Sequence, residues 1–533
     1  MSEVRIRIVC LLILICMWLM PLANTGRNVY NIESFGARGD GIHLNTSAIQ
    51  QAIDSCSLKG GGVVYINKGI FLSGSIFLKD NVTLHLGPNA VLLGSQRVED
   101  YKTIGNFVDG LGNAKNRFFV GASEARNVSI EGEGMIDGQG DSPEFKIHKD
   151  ARGDVRPSLM KFYNCTKIRV RGVTIRNSGA WVSHYFGCTD VLIQNVNIDS
   201  WSNGNNDGID IDCCENVRID NCNISSRDDA IVLKATANRP TRNVVVSNCI
   251  LHTSTGAFKI GTESVGDIQN VTVSNCAVRG AGGGIKLLCM DGAVVRNINI
   301  SDMVMQNVEM PVFIRLGSRL NIFHQGEKKK CTGSLENIQI SNIQIDTNSP
   351  GRTKGHHLVH QSGIFVTGIP GHPVKGLSLE NISIRIHGGG QKEDRLVEVP
   401  ENISDYPEFS YFSEWLPAFG AYIRHAEDVH IGNVSIQTVT PDHRYVVAVD
   451  QIKNFSFRNI RADVTEDVPS YFVVENSVQG VIADHYLDKK LESFLEVQGK
   501  STDKIFLINN VIGMVGEKVT FSEGVKKDMV TIE

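Results

Sequence analysis

The sequence lacks two features that would each point to a class of partner. With 53 Lys and Arg residues against 58 Asp and Glu, its formal net charge is only −5. No overall basic field therefore favours binding to nucleic acid or to an acidic membrane surface. Twelve cysteines are present, but no two of them form the C-x-x-C pair that is typical of zinc sites. We therefore expect no nucleic-acid partner and no metal site.

Long apolar runs are also missing, apart from one near the start. Arg5 and Arg7 precede the apolar residues 8–20, and small or polar residues follow at 23–25. This order is typical of a secretory signal, so we predict a signal peptide over residues 1–23 and export to the periplasm or the cell exterior. A single membrane anchor is the alternative, although the run is short for a span.

One short phrase recurs along the chain: Asn, a β-branched residue, any residue, a second β-branched residue, any residue, then Asn or Asp. The clearest copies begin at Asn216, Asn243, Asn270 and Asn297. With looser copies included, the first apolar residue of each phrase, its anchor, falls at positions 168, 191, 217, 244, 271, 298, 338, 377, 429 and 455. The repeated 27-residue interval, with no helical pattern inside it, is typical of a β-solenoid.

The repeat predicts an all-β fold, a single-stranded right-handed parallel β-helix that forms one domain over residues 24–533. Each coil should pair with the coils above and below it at about 4.8 Å. Three intervals are longer than the rest, which predicts loops inserted at residues 323–330, 350–360 and 388–416. Such loops often shape a cleft.

An exposed end of a parallel stack needs a cover. Residues 46–55 predict a short capping helix, with Asn45 or Thr46 as its N-cap. Its apolar face consists of Ala48, Ile49, Ala52 and Ile53. At the other end the phrase fades beyond residue 480, so residues 486–533 are predicted only as a terminal cap.

Some cysteines and asparagines follow the same period. Cys222, Cys249 and Cys276 recur every 27 residues, which favours stacked core thiols over a disulfide framework. Most Asn-x-Ser/Thr triplets lie inside the phrase. Stacking of asparagines at a turn explains them better than glycosylation does.

Alignment of the coils on their anchors brings three carboxylates together. The alignment rests on three residues that each stand 13 positions before the next anchor, namely Ile231, Phe258 and Ile285. In this frame Asp207 stacks on Asp229, and Asp228 lies beside them. Three neighbouring carboxylates are costly unless they share a proton or bind a ligand. Inverting glycoside hydrolysis needs one protonated and one ionised carboxyl group, and the cluster fits that need. A surface Asp ladder or a calcium site is the alternative.

Strand alternation sends one residue of each coil outward on this face. Asp210, Val232, Lys259 and Lys286 share that outward column. The acidic cluster is therefore followed along the helix axis by two lysines.

Two motifs on successive coils carry a family resemblance. They read Asn205-Asn206-Asp207 and Arg227-Asp228-Asp229, with 21 residues from Asp207 to Asp228. They resemble the Asn-Thr-Asp and Gly-Asp-Asp motifs of glycoside hydrolase family 28, the polygalacturonase family. The resemblance spans roughly residues 28–460, because residues 35–41, 60–65 and 132–140 also match.

The resemblance implies a role for each acid. Asp228 would be the general acid, and Asp207 and Asp229 would hold and deprotonate the attacking water. The reaction would invert the anomeric centre and use no cofactor. Lys286, which matches the lysine of the family motif Arg-Ile-Lys, would face a substrate carboxylate.

Other residues are expected to bind substrate around these acids. Asn205 belongs to the first motif, and Trp181 and His184 resemble a family stretch near the cleft. For the last two, a buried aromatic residue and a turn histidine are equally good interpretations.

Two departures from the family pattern affect the expected substrate. The histidine of the family motif Gly-His-Gly falls on Gly256, and the arginine of Arg-Ile-Lys falls on Gly284. We expect Lys259 to replace some of the lost positive charge and Arg315 to extend the basic strip.

The expected partner is an acidic plant cell-wall polysaccharide or oligosaccharide that contains galacturonate, bound by a monomeric enzyme. A rhamnogalacturonan hydrolase and an exo-acting galacturonidase are the alternatives within the family. Outside it, a calcium-dependent pectate-lyase-type enzyme and a non-catalytic carbohydrate-binding solenoid remain open.

Overall fold

The computed structural model describes residues 28–533 apart from 110, 111, 113, 147, 148, 151, 152, 325, 348–351, 355, 356, 360, 361, 466 and 467. The predicted signal peptide lies outside this range. Parallel strands stack without interruption from Val29–Asn31 to Val530–Ile532. The predicted all-β parallel β-helix is thus confirmed. In the described part of the chain, no helix is both long and apolar enough to span a membrane.

The recurring phrase forms one face of the stack, here called the anchor sheet. The ten anchors from Ile168 to Phe455 form nine successive pairs, each joining the anchors of adjacent coils. The sheet consists of Val29–Asn31, Gly62–Ile66, Val82–Leu86, Arg126–Gly132, Thr166–Arg171, Thr189–Gln194, Glu215–Asp220, Thr241–Ser247, Val478–Ala483, Asp503–Ile508, Val530–Ile532 and parts of the long strands Ile268–Cys289, Val294–Leu316, Ser334–Thr347, Val374–Gly388, Ala418–Thr440 and Tyr445–Ala462.

Two further faces complete each coil. The second face consists of Asp40–Leu44, Gly69–Ser73, Ala90–Gly94, Met135–Asp137, Thr174–Arg176, Asn197–Ser200, Asn223–Ser226, Ile250–Thr253 and parts of the same long strands. The third face, here called the site sheet, consists of Ile76–Phe77, Arg117–Ser123, Ser158–Tyr163, Ser183–Phe186, Ile209–Asp212, Ile231–Ala235, Gly256–Ser264, Ile364–Thr367, Ser470–Glu475, Leu491–Gln498, Val515–Phe521 and parts of the long strands, with Lys102–Thr103 antiparallel at its edge. Two small hairpins lie outside the stack, Lys149–Asp150 with Gly153–Asp154 and Arg352–Lys354 with His357–Val359.

Asparagines form ladders along the turns. Asn243, Asn270 and Asn297 have φ angles of 57° to 58°, in the left-handed region that asparagine tolerates better than most residues. Each side-chain amide donates to the side-chain oxygen of the asparagine one coil back, at 3.0 to 3.1 Å. The predicted stacking of asparagines is therefore present. The three cysteines Cys222, Cys249 and Cys276 are buried free thiols, as expected for the core.

The predicted cap is α1, Thr46–Leu58, which extends three residues beyond the expected end. Asn45 occupies its N-cap position, and the helix buries Ile49, Ala52, Ile53 and Cys56. The other helical segments are Pro143–Lys146 and the 3₁₀ turns Ile32–Phe35, Val98–Asp100, Lys392–Leu396, Phe409–Tyr411 and Lys527–Met529.

The C-terminal residues differ from expectation. Residues 486–533 continue the coils, because Phe455 pairs with Gly480, Gly480 with Ile505, and Ile505 with Val530. Glycine replaces the apolar anchor at position 480. Because of this one replacement, the regular 25-residue period could not be recognised in the sequence.

Three long connections leave the stack at residues 317–333, 348–363 and 389–417. The expected insertions fall within them, except that residue 388 is still the last residue of the strand Val374–Gly388. The third connection returns over the site sheet. Phe412 packs edge-on against Phe365, with ring centroids 5.1 Å apart, and Phe409 packs in the same way on Phe313. This connection therefore forms a wall on the face that carries the acids.

Candidate active site

The outward column predicted from the sequence exists on the site sheet. His184 pairs with Asp210, Asp210 with Val232, Val232 with Lys259, and Lys259 with Lys286. Parallel register holds these side chains one coil apart on the same face.

Beside this column lies a small pocket with a volume of about 50 Å³. Six of the nine predicted site residues line it: Asn205, Asp207, Asp228, Asp229, Lys259 and Trp181. Four further residues line it that the sequence analysis did not single out, namely Asp109, Lys234, Glu263 and Tyr406. The other three predicted site residues do not line the pocket: Lys286, His184 and Arg315.

Asp207 is nearly inaccessible, and the surroundings favour its protonated form. Burial, reinforced by the neighbouring charge of Asp210, raises the pKa of Asp207 well above its usual range. The positive charge of Lys234, whose Nζ lies 3.4 Å from Asp207 Oδ2, lowers the pKa but only partly offsets this effect. Asp207 can therefore hold or accept a proton at a pH where most carboxyl groups are ionised.

Asp229 has the opposite environment. Its Oδ2 accepts from Lys259 Nζ at 2.6 Å, and its Oδ1 accepts from the backbone N–H of Gly256 at 2.9 Å. Burial alone would raise the pKa of Asp229, but the charges of Lys259 and Lys286 outweigh it and hold the pKa well below its usual range. Asp229 is thus a fixed anion.

Asp228 is partly exposed at the mouth of the pocket. Its Oδ1 accepts from the backbone N–H of Asp229 at 3.0 Å and lies 3.0 Å from Thr255 Oγ1. These contacts fix the orientation of the carboxyl group, and its exposure leaves it accessible to a ligand.

Lys234 is the centre of the charge network that the sequence analysis missed. Its Nζ lies 2.8 Å from Asp210 Oδ1 and 3.9 Å from Glu263 Oε2, in addition to its contact with Asp207. The ammonium also sits 3.8 Å above the ring of Trp181. A sequence signal existed, because Lys234 follows Val232 by two residues and must point outward with it.

Asp210 shares this network. Burial raises its pKa to about 6, although Lys234 acts in the opposite direction. Asp210 was placed in the outward column by the sequence, but its coupling to Asp207 could be seen only with the side chains in place.

Lys286, expected to face a substrate carboxylate, has a protein partner. Its Nζ lies 3.0 and 3.2 Å from the two carboxylate oxygens of Glu408, on the third long connection. Tyr406 of the same connection lines the pocket. No sequence pattern could align this insertion with the coils, so its contribution was not predicted.

Trp181 and His184 illustrate the two interpretations left open. Trp181 lines the pocket, but His184 is fully buried beneath it, with ring centroids 4.9 Å apart. His184 Nδ1 lies 3.1 Å from Lys161 Nζ, and its Nε2 lies 3.4 Å from Asp212 Oδ2. Burial, with the nearby charge of Lys161, lowers the pKa of His184 to about 3, so the imidazole is a neutral structural bridge.

Arg315 does not extend a basic strip, which corrects that expectation. Its side chain is fully buried, and its guanidinium donates to the backbone carbonyls of Gly368, Glu401 and Asn402 at 2.7 to 3.0 Å. The residue points outward from its strand, but the third long connection covers it. Asn205, in contrast, reaches the pocket, and its Oδ1 accepts from Arg156 at 3.1 Å.

Gly256 and Gly284, which replace the histidine and the arginine of the family motifs, lie in crowded surroundings. A Cβ on Gly284 would lie 2.6 Å from the backbone oxygen of Pro311, and one on Gly256 would lie 2.8 Å from Asp229 Oδ1, so that the carboxylate would have to shift. Because real Cβ atoms avoid such distances, neither site can take a histidine or an arginine without rearrangement.

Sequence comparison agrees with this geometry. The profile of the family described as "Glycosyl hydrolases family 28" matches residues 99–404, more than half of the chain. The chain is 33% identical over 215 residues to "Probable polygalacturonase" of Vitis vinifera, covering 38% of this chain and 44% of that protein. It is 36% identical over 160 residues to "Exo-poly-alpha-D-galacturonosidase" of Dickeya chrysanthemi, covering 28% and 26%. The matched stretch thus spans less than half of either curated relative.

Solved structures support the same fold. The family 28 exopolygalacturonase of Yersinia enterocolitica superposes with a TM-score of 0.57 at 20% identity, covering 85% of this chain and 77% of that one. The profile match, which includes Asp207, Asp228 and Asp229 in the turns before their strands, establishes that the chain belongs to glycosyl hydrolase family 28.

Proposed function

We propose that the protein hydrolyses glycosidic bonds in galacturonate-containing pectic glycans, by general acid and base catalysis with inversion. The observation that carries the proposal is the pocket in which three carboxylates meet, two of them with pKa values shifted in opposite directions. Asp207 has a raised pKa and Asp229 a lowered one, and neighbouring carboxyl groups whose pKa values are pushed apart are typical of catalytic sites.

Asp228 is the general acid in this proposal. It is the most accessible of the three acids, and its oriented carboxyl group can protonate the departing glycosidic oxygen. The role matches its position in the family motif Gly-Asp-Asp.

The contacts favour Asp207 over Asp229 as the group that takes the proton of water. Asp229 is committed to Lys259 and to the N–H of Gly256, and each donor lowers its basicity. Asp207, with its raised pKa, is the stronger base once ionised. Asp229 then holds the water and stabilises positive charge on the sugar as a fixed anion.

An acidic sugar is supported by the names of the relatives and by the lysines near the pocket. Lys259 is paired with Asp229 and Lys286 with Glu408, so a substrate carboxylate would have to compete with a protein carboxylate. Lys286 is the better candidate, because its partner Glu408 belongs to a long connection outside the coils, whereas the partner of Lys259 is one of the three acids.

Exo action is the second candidate, and one observation favours it. The third long connection, with Tyr406 in the pocket wall and Glu408 on Lys286, borders the small pocket on one side. A pocket bounded in this way suits the end of a glycan better than its middle. A rhamnogalacturonan backbone remains the alternative substrate.

The deciding experiment follows products released from polygalacturonate and from rhamnogalacturonan by the wild type, Asp228→Asn and the exposed control Asp199→Asn. We expect new reducing ends without absorbance from unsaturated sugars, loss of more than about 100-fold in Asp228→Asn, and no loss in the control. NMR of the first product would show the inverted anomer.

Other results would contradict the proposal. Unsaturated product would indicate a lyase, and binding without turnover would indicate a carbohydrate-binding solenoid. Products of one sugar residue would support exo action, and a ladder of oligosaccharides would oppose it. Export, which we propose from residues 1–23, is tested separately by fractionation and N-terminal sequencing.

A further inference from the structure

Thr255 makes a contact that no family motif supplies. Its Oγ1 lies 3.0 Å from Asp228 Oδ1 and also 3.0 Å from Asp229 Oδ1. A threonine hydroxyl has one proton to donate, so it can serve only one of these oxygens at a time. Thr255 occupies the position of the first glycine in the family motif Gly-His-Gly, where no side chain exists.

The other contacts of the two acids are unequal. Asp229 keeps two donors without Thr255, namely Lys259 Nζ and the backbone N–H of Gly256. Asp228 Oδ1 otherwise receives only the N–H of Asp229 among the hydrogen bonds of the described residues. Asp228 therefore gains more from the hydroxyl proton when both acids are charged.

We propose that Thr255 is a positioning residue whose hydroxyl proton follows the negative charge between the two acids. It donates to Asp229 while Asp228 is protonated, and it turns to Asp228 Oδ1 as Asp228 becomes an anion. Rotation about one C–O bond is sufficient, and no heavy atom needs to move. This inference rests on the proposed hydrolysis with Asp228 as the acid.

The chemical step balances as follows. The glycosidic C–O bond breaks, its electron pair stays on the leaving oxygen, and that oxygen takes the proton of Asp228. The water oxygen bonds to the anomeric carbon and gives its proton to Asp207. Asp228 and Asp229 are then neighbouring anions, and the hydroxyl of Thr255 stabilises the new one by a charge-assisted hydrogen bond.

The test compares Thr255→Val, which removes the hydroxyl, with Thr255→Ser, which retains it. We expect Thr255→Val to lower kcat on polygalacturonate by about 10- to 100-fold with little change in KM. Thr255→Ser should restore most of kcat. Thr272→Val, on the anchor sheet away from the pocket, is the matched control for the cost of a threonine-to-valine change, with folding checked by thermal unfolding.

A second substrate separates this role from a structural one. p-Nitrophenyl α-D-galacturonide releases a stable anion that needs little protonation, so the loss in Thr255→Val should shrink several-fold on it. An equal loss on both substrates, a serine variant as poor as valine, or a valine variant as active as wild type would overturn the inference. If Thr255→Val does not fold, Thr255→Ala takes its place in the same comparison.

The same experiment distinguishes the two proposals. If the wild type acts on polygalacturonate and Asp228→Asn does not, while Thr255→Val is fully active, only the role of Thr255 fails. If the wild type hydrolyses neither substrate, or Asp228→Asn is fully active, the proposed function fails and takes this inference with it.

Discussion

At the scale of single residues, two lysines contact the acids of the pocket in different ways. Lys259 makes one 2.6 Å contact, with Asp229, whereas Lys234 is shared among Asp207, Asp210 and Glu263. A shared cation compensates each of its anions less than a dedicated one. This difference explains why two similar carboxylates, one coil apart, have pKa values on opposite sides of the usual range.

The charge of Asp210 gives a prediction for the pH dependence of kcat/KM. As the proposed base, Asp207 must be ionised, so activity should fall as pH drops through its raised pKa. Asp210→Asn removes a neighbouring negative charge and leaves Lys234 more available to Asp207. The pKa of Asp207 should fall, and the acid limb of the profile should move to lower pH.

The measurement is kcat/KM on polygalacturonate across the acid range for the wild type, Asp210→Asn and Asp199→Asn as control. The control should overlay the wild type. A limb that stays in place in Asp210→Asn, or moves to higher pH, would rule out Asp207 as the group that controls it.

Much of this network could be predicted from the sequence, and the reason is register. Once the anchors are aligned, strand alternation places Asp210, Lys259 and Lys286 on one face, as the structure has them. The direction in which a side chain points does not determine which residues it contacts, however. Lys259 was expected to replace some of the lost positive charge, but its contact with Asp229 was not predicted, because the conformation of a lysine side chain does not follow from its Cα position.

At the scale of elements, the third long connection is held by buried arginines. Arg315 donates to the carbonyls of Glu401 and Asn402, and Arg424 donates to those of Val399 and Pro400. Both arginines stand on strands of the site sheet, so the coils themselves fix the wall of the pocket. The position of the insertion could be predicted from the sequence, but its return over the site sheet could not, since a loop without periodicity has no register.

Arg315→Met should release this wall. The variant leaves the partly buried carbonyls of Glu401 and Asn402 without this donor, at a cost of up to about 1–3 kcal/mol, and it frees the segment that carries Tyr406 and Glu408. We expect KM to rise about 5- to 10-fold, with faster amide hydrogen exchange in residues 399–412. Arg458→Met, which removes an exposed ion pair with Asp484, should lose less than about 1 kcal/mol and keep its KM.

At the scale of the whole molecule, each coil touches only its neighbours, so stability is a sum of local interfaces. The C-terminal coils were missed because their anchor at position 480 is glycine. A Cβ there would collide with the ring of Phe455 in the coil beneath. The ring of Phe455 fills the space that two anchor side chains would otherwise occupy. A pattern that requires one apolar residue per coil therefore does not detect the coil whose anchor is Gly480.

Gly480→Val tests this packing. If the last coils stack as described, the added side chain overpacks the core and should lower the free energy of unfolding by about 1–3 kcal/mol or more, seen as a lower Tm. Gly513→Ala is the control, because a Cβ there meets no atom within 4 Å. Equal Tm values for the two variants would contradict the assigned register.

The pairing of anchors has a consequence for how such a chain can change over generations. Ile298, Ile338, Leu377 and Val429 are separated by 40, 39 and 52 residues, yet each pairs with the next as closely as anchors 27 residues apart. A gene can therefore lengthen at a turn without displacing the acids, since the added residues leave the stack and return to the same register. New substrate preferences can be acquired by insertion alone, while the chemistry below is inherited intact.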